Sequence, residues 1–381
     1  MIAGDLFPVK SNLDLFCKGD AKALFGDAIC DLFATADYRI CNLEGALTDG
    51  LQRGKKTGPV VTAPIEAVTA YKTLGIDCCM LANNHITDGC TQGVADTLKT
   101  LSDAGIQHIG TGMNETSIRH YLTITLDGEK VCFYNVSETM YNIPTSREAG
   151  AWLYDEYIVC KELEILKKKC DYIIVIYHGG IEHFPYPSPE MKKRFHRMAD
   201  SGADIILSQH THCVGCEECY NGAYLLYGQG DFLFNNCRPK TTDMGIILEV
   251  DIKEGHWSVK KHLVRCTDDF HLEYNKDYDF ADFYMRSEKV KDDEFLLQQF
   301  QQFCDGELPL YLTAFKSPGK MLRKYKWHFP NRFNNWLLKK AYTRKDLLFS
   351  LHTLRSEQNR ETAIMGIKNM LERGFGEKKD K

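Results

Sequence analysis

Four times before residue 213 a helix-like stretch runs straight into a short apolar one. "AKALFGDAICDLFATAD" precedes "YRICNLEG", and "APIEAVTAYKTLG" precedes "IDCCMLANNH". "DEYIVCKELEILKKKC" precedes "DYIIVIYHGG", and "PEMKKRFHRMADS" precedes "GADIILSQHTH". The first member of each pair carries apolar residues at helical spacing, whereas the second is short and strand-like. Such alternation restricts the chain to a layered α/β fold with right-handed crossovers. Two other stretches modify this picture. "YLTITLDGEKVCFYNV" sets Asp127-Gly128 between β-rich runs, and "MGIILEVDIKEGHWSVKKHLVRC" turns near Glu254-Gly255. Both read as hairpins. We therefore expect a mixed sheet, or two packed sheets, over residues 1–270. Beyond it, "DDEFLLQQFQQFC" and "RETAIMGIKNMLERGFG" predict a helical extension over 271–381.

The apolar runs end alike. Gly4-Asp5 follows "MIA", Asn42-Leu43-Glu44-Gly45 follows "YRIC", and Asn83-Asn84-His85 follows "IDCCMLA". His178-Gly179-Gly180 follows "DYIIVIY", and His210-Thr211-His212 follows "GADIILSQ". Ligands of open α/β sheets gather at the carboxyl ends of strands. Carboxylates, an amide and imidazoles on one rim form a donor set suited to Mn²⁺, Fe²⁺ or Zn²⁺, with enough groups for two ions.

Composition narrows the class. Hydrophobic residues make up 44% of the 381, enough for a substantial core. A net charge of −5 argues against a general nucleic-acid binder. The 15 cysteines are scattered, and several lie in apolar runs, as expected of buried thiols in a reducing compartment. "MIAGDLFPVK" has no basic start and no apolar stretch, so a cytoplasmic location is expected. "CVGCEEC" spaces Cys213, Cys216 and Cys219 as in an iron–sulfur or zinc site, with Cys237 as a fourth ligand. The plainer reading is a loop with free thiols. From Leu308 to Lys345 there are ten Lys or Arg residues and no Asp or Glu, interleaved with Trp327, Phe329, Phe333 and Trp336. Such a segment either docks on the body by its aromatic residues or meets an anionic polymer or the inner face of a membrane.

The blocks together resemble the CapA type of capsule and poly-γ-glutamate biosynthesis proteins, within the metallophosphoesterase-like, calcineurin-like group. The matching pieces are Gly4-Asp5, "NLEG" (Asn42 to Gly45) and "NNHITDGCTQGVADTL" (Asn83 to Leu98). "HGGIE" (His178 to Glu182), "GADIILSQHTH" (Gly202 to His212) and "YGQGDFLF" (Tyr227 to Phe234) complete the set, over roughly residues 1–250. The chain departs from the family pattern in places. Gly179 replaces a usual Trp, Thr211 a usual Pro, and Asp231 a usual Asn. Asp5-Leu6-Phe7 lacks the histidine of the wider group's Asp-x-His block.

The resemblance implies an α-β-β-α sandwich with mixed sheets. It also implies a metal shell of Asp5, Glu44, Asn84, His178, His210 and His212, holding two divalent ions. His85 becomes a general acid or electrostatic stabiliser, and Asp88 the partner that fixes its tautomer. Glu182 either orients an imidazole, meets a substrate amine or is a solvated surface carboxylate. The implied function is a metal-dependent hydrolase of phosphoester or related bonds in envelope-polymer synthesis. The alternative is a non-catalytic accessory protein that binds an acidic polymer during capsule assembly or export. The expected partners are an anionic polymer or phosphorylated envelope precursor, and capsule-synthesis ligase or membrane subunits.

Overall fold

Along the strand Tyr172–His178, Ile173, Val175 and Tyr177 face one way, and Ile174 and Ile176 the other. All five are buried, so this strand needs a layer on each side. On one side lie the helices Glu156–Lys167 and Pro189–Asp200, which bring Val159, Leu163, Phe195 and Met198. On the other lies a second sheet, whose Ile2, Ile40, Met80 and Ile109 meet Ile174, Ile176, Ile205 and Leu207. That second sheet is covered in turn by Phe16, Phe25, Ile29, Tyr71 and Leu101 from the helices Leu13–Lys18, Ala21–Ala34, Val68–Leu74 and Cys90–Asp103. The result is the α-β-β-α sandwich expected from the sequence.

This computed structural model describes residues 1–54, 56, 58–234, 243–274, 279–312 and 343–373. One compact unit comprises Met1–Gly54 and Val60–Leu297, and the other comprises Lys55–Pro59 and Gln298–Lys381. The first holds the sandwich. Its six-stranded sheet runs Val214–Tyr220, Ala223–Gln229, Ile205–Gln209, Tyr172–His178, Glu129–Ser137, Tyr121–Leu126. Its eight-stranded sheet runs Leu272–Tyr274, His256–Cys266, Met244–Lys253, Ile2–Leu6, Ile40–Leu43, Cys78–Met80, Gln107–Ile109, with Asp231–Leu233 also pairing Ile2–Leu6. Both sheets mix parallel and antiparallel pairs. Both predicted hairpins are present, with Asp127-Gly128 and Glu254-Gly255 in the left-handed conformations of a tight two-residue turn.

Two features were not foreseen. The first strand does not stop at Ala3 but continues through Gly4 and Asp5 to Leu6. It is held there by Asp231–Leu233, which pairs in parallel with Asp5 opposite Asp231. The block "YGQGDFLF" is accordingly split, with Ala223–Gln229 in one sheet and Asp231–Leu233 in the other. The chain changes sheets at Gly230, whose φ is +72°. Buried amides reinforce this junction. Gln209 Nε2 donates to Ala3 O (3.1 Å) and to Gln229 Oε1 (3.0 Å). Gln229 Nε2 donates to Ile2 O (2.8 Å) and Ile246 O (2.9 Å).

In the second unit, the helix Arg344–Arg355 starts at a Thr343 capping box and is followed by the helix Glu357–Glu372. Arg373 Nη2 and Asn369 Nδ2 both reach Asp305. Among the described residues no helix is long and apolar enough to cross a membrane. Residues 313–342, the bulk of the basic and aromatic segment, lie outside the described residues.

The strand crossover leaves no room above Gly4, where a Cβ would meet Gly230 O at 2.3 Å. Gly4→Ala should lower the urea unfolding free energy by about 1–3 kcal/mol, the usual cost of overpacking. Gly306→Ala, on a helix with open space around it, should be neutral or stabilising by roughly 0.5–1 kcal/mol. Urea titrations of the two variants test both expectations.

Candidate metal centre

Strand ends deliver every side chain of the site. Glu44 follows the strand Ile40–Leu43, His178 ends Tyr172–His178, and His210 follows Ile205–Gln209. Asp5 lies on Ile2–Leu6, and Asn84 and His85 lie just beyond Cys78–Met80. His210 and His212 both have positive φ, +89° and +52°, an uncommon state for residues with a Cβ. Backbone contacts hold that bend. His210 N donates to Asp5 Oδ2 (3.1 Å), and His183 N donates to Thr211 O (2.8 Å). The tight reversal brings both imidazoles inward, with ring centres 5.8 Å apart.

Glu44 is the hub. Its Oε1 lies 3.6 Å from His178 Nε2, 3.9 Å from His212 Nε2 and 4.0 Å from His85 Nε2. Both Glu44 oxygens are buried and neither accepts a hydrogen bond among the described residues. Asp5 Oδ1 accepts from Asn42 Nδ2 (2.7 Å) and lies 3.9 Å from His178 Nδ1. Asn84 Oδ1 is 2.9 Å from His178 Nε2. His85 Nδ1 is 2.7 Å from Asp88 Oδ2, which also accepts from Val61 N (2.7 Å). Glu182 sits at the exposed mouth, with Oε1 3.8 Å from His210 Nε2. All nine residues singled out from the sequence therefore lie at one end of the sandwich.

Two carboxylates were not singled out. Asp231 Oδ1 is 2.8 Å from His212 Nδ1. Glu138, buried beside the rim, has Oε1 3.9 Å from His210 Nε2 and accepts from Gly180 N (3.4 Å). Phe234 closes one flank, stacked on His212 with centroids 5.2 Å apart. Phe7 stands at the position of the histidine in the wider group's Asp-x-His block, and it packs into the helix-side core. The cysteine spacing leads nowhere. Cys216 and Cys219 lie three apart on the strand Val214–Tyr220, so they face opposite ways, one buried and one exposed. Cys237 lies outside the described residues.

Burial dominates the electrostatics. It pushes the Glu44 carboxyl well above the usual carboxylate range, and the charges of Asp5 and Asp231 push the same way. Burial also raises Asp5, against an opposing pull from His212. His178 is driven well below the ordinary histidine value by burial and by the imidazoles of His210, His212 and His85. These are the directions expected of charged groups kept from water without enough countercharge. A divalent cation answers that deficit. Three overlapping groups, Glu44–His210–His212, Asp5–His212–Asp231 and Asp5–Glu44–His178, each bring their donor atoms within 4.8 Å of one another. The residues present thus fit a metal centre.

The family model "Bacterial capsule synthesis protein PGA_cap" matches residues 1–236. The chain belongs to this family. Every strand-end residue of the rim falls within the matched span. Among PGA_cap-like relatives, the capsule biosynthesis protein CapA of Bacillus anthracis is 28% identical over 193 residues, 49% of this chain and 47% of its own. The PGA biosynthesis protein CapA of Bacillus subtilis is 26% identical over 222 residues, 57% of this chain and 58% of its own. The chain thus spans about half the length of the curated relatives it matches. A phosphatase from Mycoplasma pneumoniae aligns at TM-score 0.40 and 14% identity, over 69% of this chain and 84% of that one. An NAD nucleotidase from Haemophilus influenzae aligns at 0.41 and 14%, over 75% and 56%. The PGA_cap sandwich itself is established by its own two sheets.

The electrostatics predict a signed pH dependence for the metal-free protein. Glu44 and Asp5 hold protons in the fold at a pH where the unfolded chain has lost them. Stability should therefore fall as pH rises from the ordinary carboxylate range of about 4 through their raised values. His178 acts at the acid side. The unfolded chain takes up its proton below about 6.5 while the fold does not, so stability also falls as pH drops from there. Glu44→Gln should raise the melting temperature of the chelator-treated protein at pH 8 and change it little at pH 5. With metal at a hundred times its Kd, the wild type should gain about 2.7 kcal/mol. Glu44→Gln should gain less under the same conditions. Thermal melts with and without metal check all three points.

Proposed function

We propose that this chain is a metal-dependent hydrolase of phosphoester or related bonds, acting in capsule or poly-γ-glutamate biosynthesis. The observation that carries the reading is the buried Glu44, whose oxygens meet no hydrogen-bond donor among the described residues while three imidazole Nε2 atoms converge on one of them. Asp5, Glu44, Asn84, His178, His210 and His212 hold the metal, in our reading two ions of Mn, Fe or Zn. Bound divalent ions supply Lewis acidity at the phosphoryl group and lower the pKa of water towards neutrality.

The remaining chemistry belongs to side chains. Nδ1–H of His85 donates a hydrogen bond to Asp88 Oδ2, which turns its Nε2 towards the reacting group. As the imidazolium, His85 gives its Nε2 proton to the leaving oxygen and becomes the neutral Nδ1–H tautomer, or keeps the proton and steadies the oxygen's charge. Glu182, half exposed at the mouth, orients His210 or meets a cationic group of the substrate. The substrate class is an anionic polymer or a phosphorylated envelope precursor. The partners are capsule-synthesis ligase or membrane subunits, and the 308–345 segment touches a membrane surface. In this reading the protein works in the cytoplasm, at the inner face of that membrane.

One observation favours a second reading. Phe7 fills the helix-side core where the wider group has a ligand, so the rim has one imidazole fewer. An accessory protein that only binds an acidic polymer would need no more than this rim.

Turnover separates the two. Metal-loaded wild type should hydrolyse members of a phosphomonoester, phosphodiester and γ-glutamyl polymer panel. His85→Ala should lower kcat by about 10²–10⁴-fold at unchanged metal content. His210→Ala/His212→Ala should lose both metal and activity. A wild type that binds metal and polymer yet turns over nothing would establish the accessory reading instead.

A further inference from the structure

The two large sheets end in four strands. An end strand presents a row of unpaired amides and carbonyls, and folded chains blunt it by shortness, charge, proline, a bulge or a cover. Three of the four are blunted. Leu272–Tyr274 and Gln107–Ile109 are three residues each. Val214–Tyr220 carries Glu217 and Glu218 and is covered by the helix Ala281–Lys289. Arg286 Nε and Nη2 donate to Gly215 O (2.9 Å) and Val214 O (3.0 Å), and Glu217 N donates to Ser287 Oγ (2.9 Å). The fourth strand, Tyr121–Leu126, has none of these devices. Its six residues, "YLTITL", hold no charge and no proline, and they pair with Glu129–Ser137 in unbroken register. Among the described residues no strand pairs with its other side.

The hairpin fixes which backbone groups face outwards. Leu126 and Glu129 flank the two-residue turn and form its hydrogen-bonded pair. Asn135 N donates to His120 O (2.9 Å), which keeps the same phase at the other end. The amides and carbonyls of Tyr121, Thr123 and Thr125 therefore point away from the sheet. Leu122, Ile124 and Leu126 turn to the core between the sheets, and the last two are only partly buried. We propose that a second copy of this chain adds its own Tyr121–Leu126 strand here, antiparallel, joining the two six-stranded sheets across a twofold axis at Thr123. The edge is self-complementary, as such an isologous contact requires. In that register Thr123 pairs with itself and Tyr121 with Thr125, so every outward amide finds a carbonyl. Leu122 lies opposite Ile124, which extends the core between the sheets. Exposed Arg119 and Asp127 bracket the strand, and the antiparallel arrangement sets the cationic end against the anionic one. The helix Glu156–Lys167 adds apolar surface on the same flank. Glu162 Oε2 accepts from Tyr134 OH (2.6 Å) and meets His120 Nε2 (3.1 Å), so the helix face that carries Glu162 is turned to this edge. Ile158 and Ile165 share that face and are exposed.

Sedimentation velocity and native mass spectrometry of the full chain test this. Wild type should be a dimer at micromolar concentration. Thr123 is exposed, so a charge there leaves the fold intact, which an unchanged far-ultraviolet spectrum checks. Thr123→Lys sets like charges opposite each other across the axis and should raise the dimer Kd at least about tenfold. Thr123→Glu should do the same. When the two variants are mixed, opposite charges meet across the axis, and a heterodimer of intermediate mass should form. Gln107→Lys, on a short edge of the other sheet, should associate as wild type does. Amide exchange at Tyr121, Thr123 and Thr125 should be slowed in wild type and fast at the two unchanged positions of Thr123→Lys. A wild type that stays monomeric at high micromolar concentration overturns the proposal and leaves the edge to an extended segment of another protein. A dimer that both Thr123 variants leave intact overturns it too, because the contact then lies elsewhere. Two monomeric variants that do not associate when mixed overturn the twofold axis at Thr123.

Discussion

Everything at this end of the sandwich depends on one electrostatic problem: Asp5, Glu44 and Asp231 are carboxylates kept out of water within one pocket. An ionised carboxylate without a partner is costly to bury, and like charges at close range add to the cost. The chain does little to relieve this through hydrogen bonds. Asp5 receives Asn42 and the His210 backbone, but Glu44 receives no donor among the described residues. The surrounding imidazoles offer lone pairs as readily as protons. A pocket so composed is compatible with metal binding, and the tension in it is what a cation would remove.

The fold is arranged to hold that tension in place. Period-two alternation buries both faces of the central strands, so their ends are fixed by two apolar layers. The change of sheet at Gly230 then ties one sheet to the other directly under the site. Gln209 and Gln229 bridge the same junction with hydrogen bonds to backbone carbonyls of the facing sheet. His210 and His212 adopt left-handed backbone states at the rim, and such outliers persist only where neighbours over-determine them. Rigid supports of this kind keep donor atoms in position whether or not a ligand is bound.

Much of this was legible in the sequence, for a physical reason. A strand buried on both faces leaves a long apolar run, and the first polar residue after it marks the rim. That signal located Glu44, Asn84, His85, His178, His210 and His212. It failed where the run was broken. Asp231 sits on a three-residue strand in a block read as one piece, and nothing local reveals that the chain changes sheets at Gly230. Glu138 follows a strand read as half of a hairpin, so its end was not counted as part of the rim. The cysteine ladder misled in the opposite sense. Its spacing suits a loop, but Cys216 and Cys219 occupy a strand that turns them to opposite faces.

The most direct test of the central claim is anomalous diffraction from crystals of metal-loaded protein, recorded on both sides of the metal's absorption edge. Anomalous peaks about 2.0–2.2 Å from Glu44 oxygens and from imidazole nitrogens of His178, His210 or His212 are predicted. A rim without a peak under saturating metal, or peaks confined to other parts of the molecule, would contradict it.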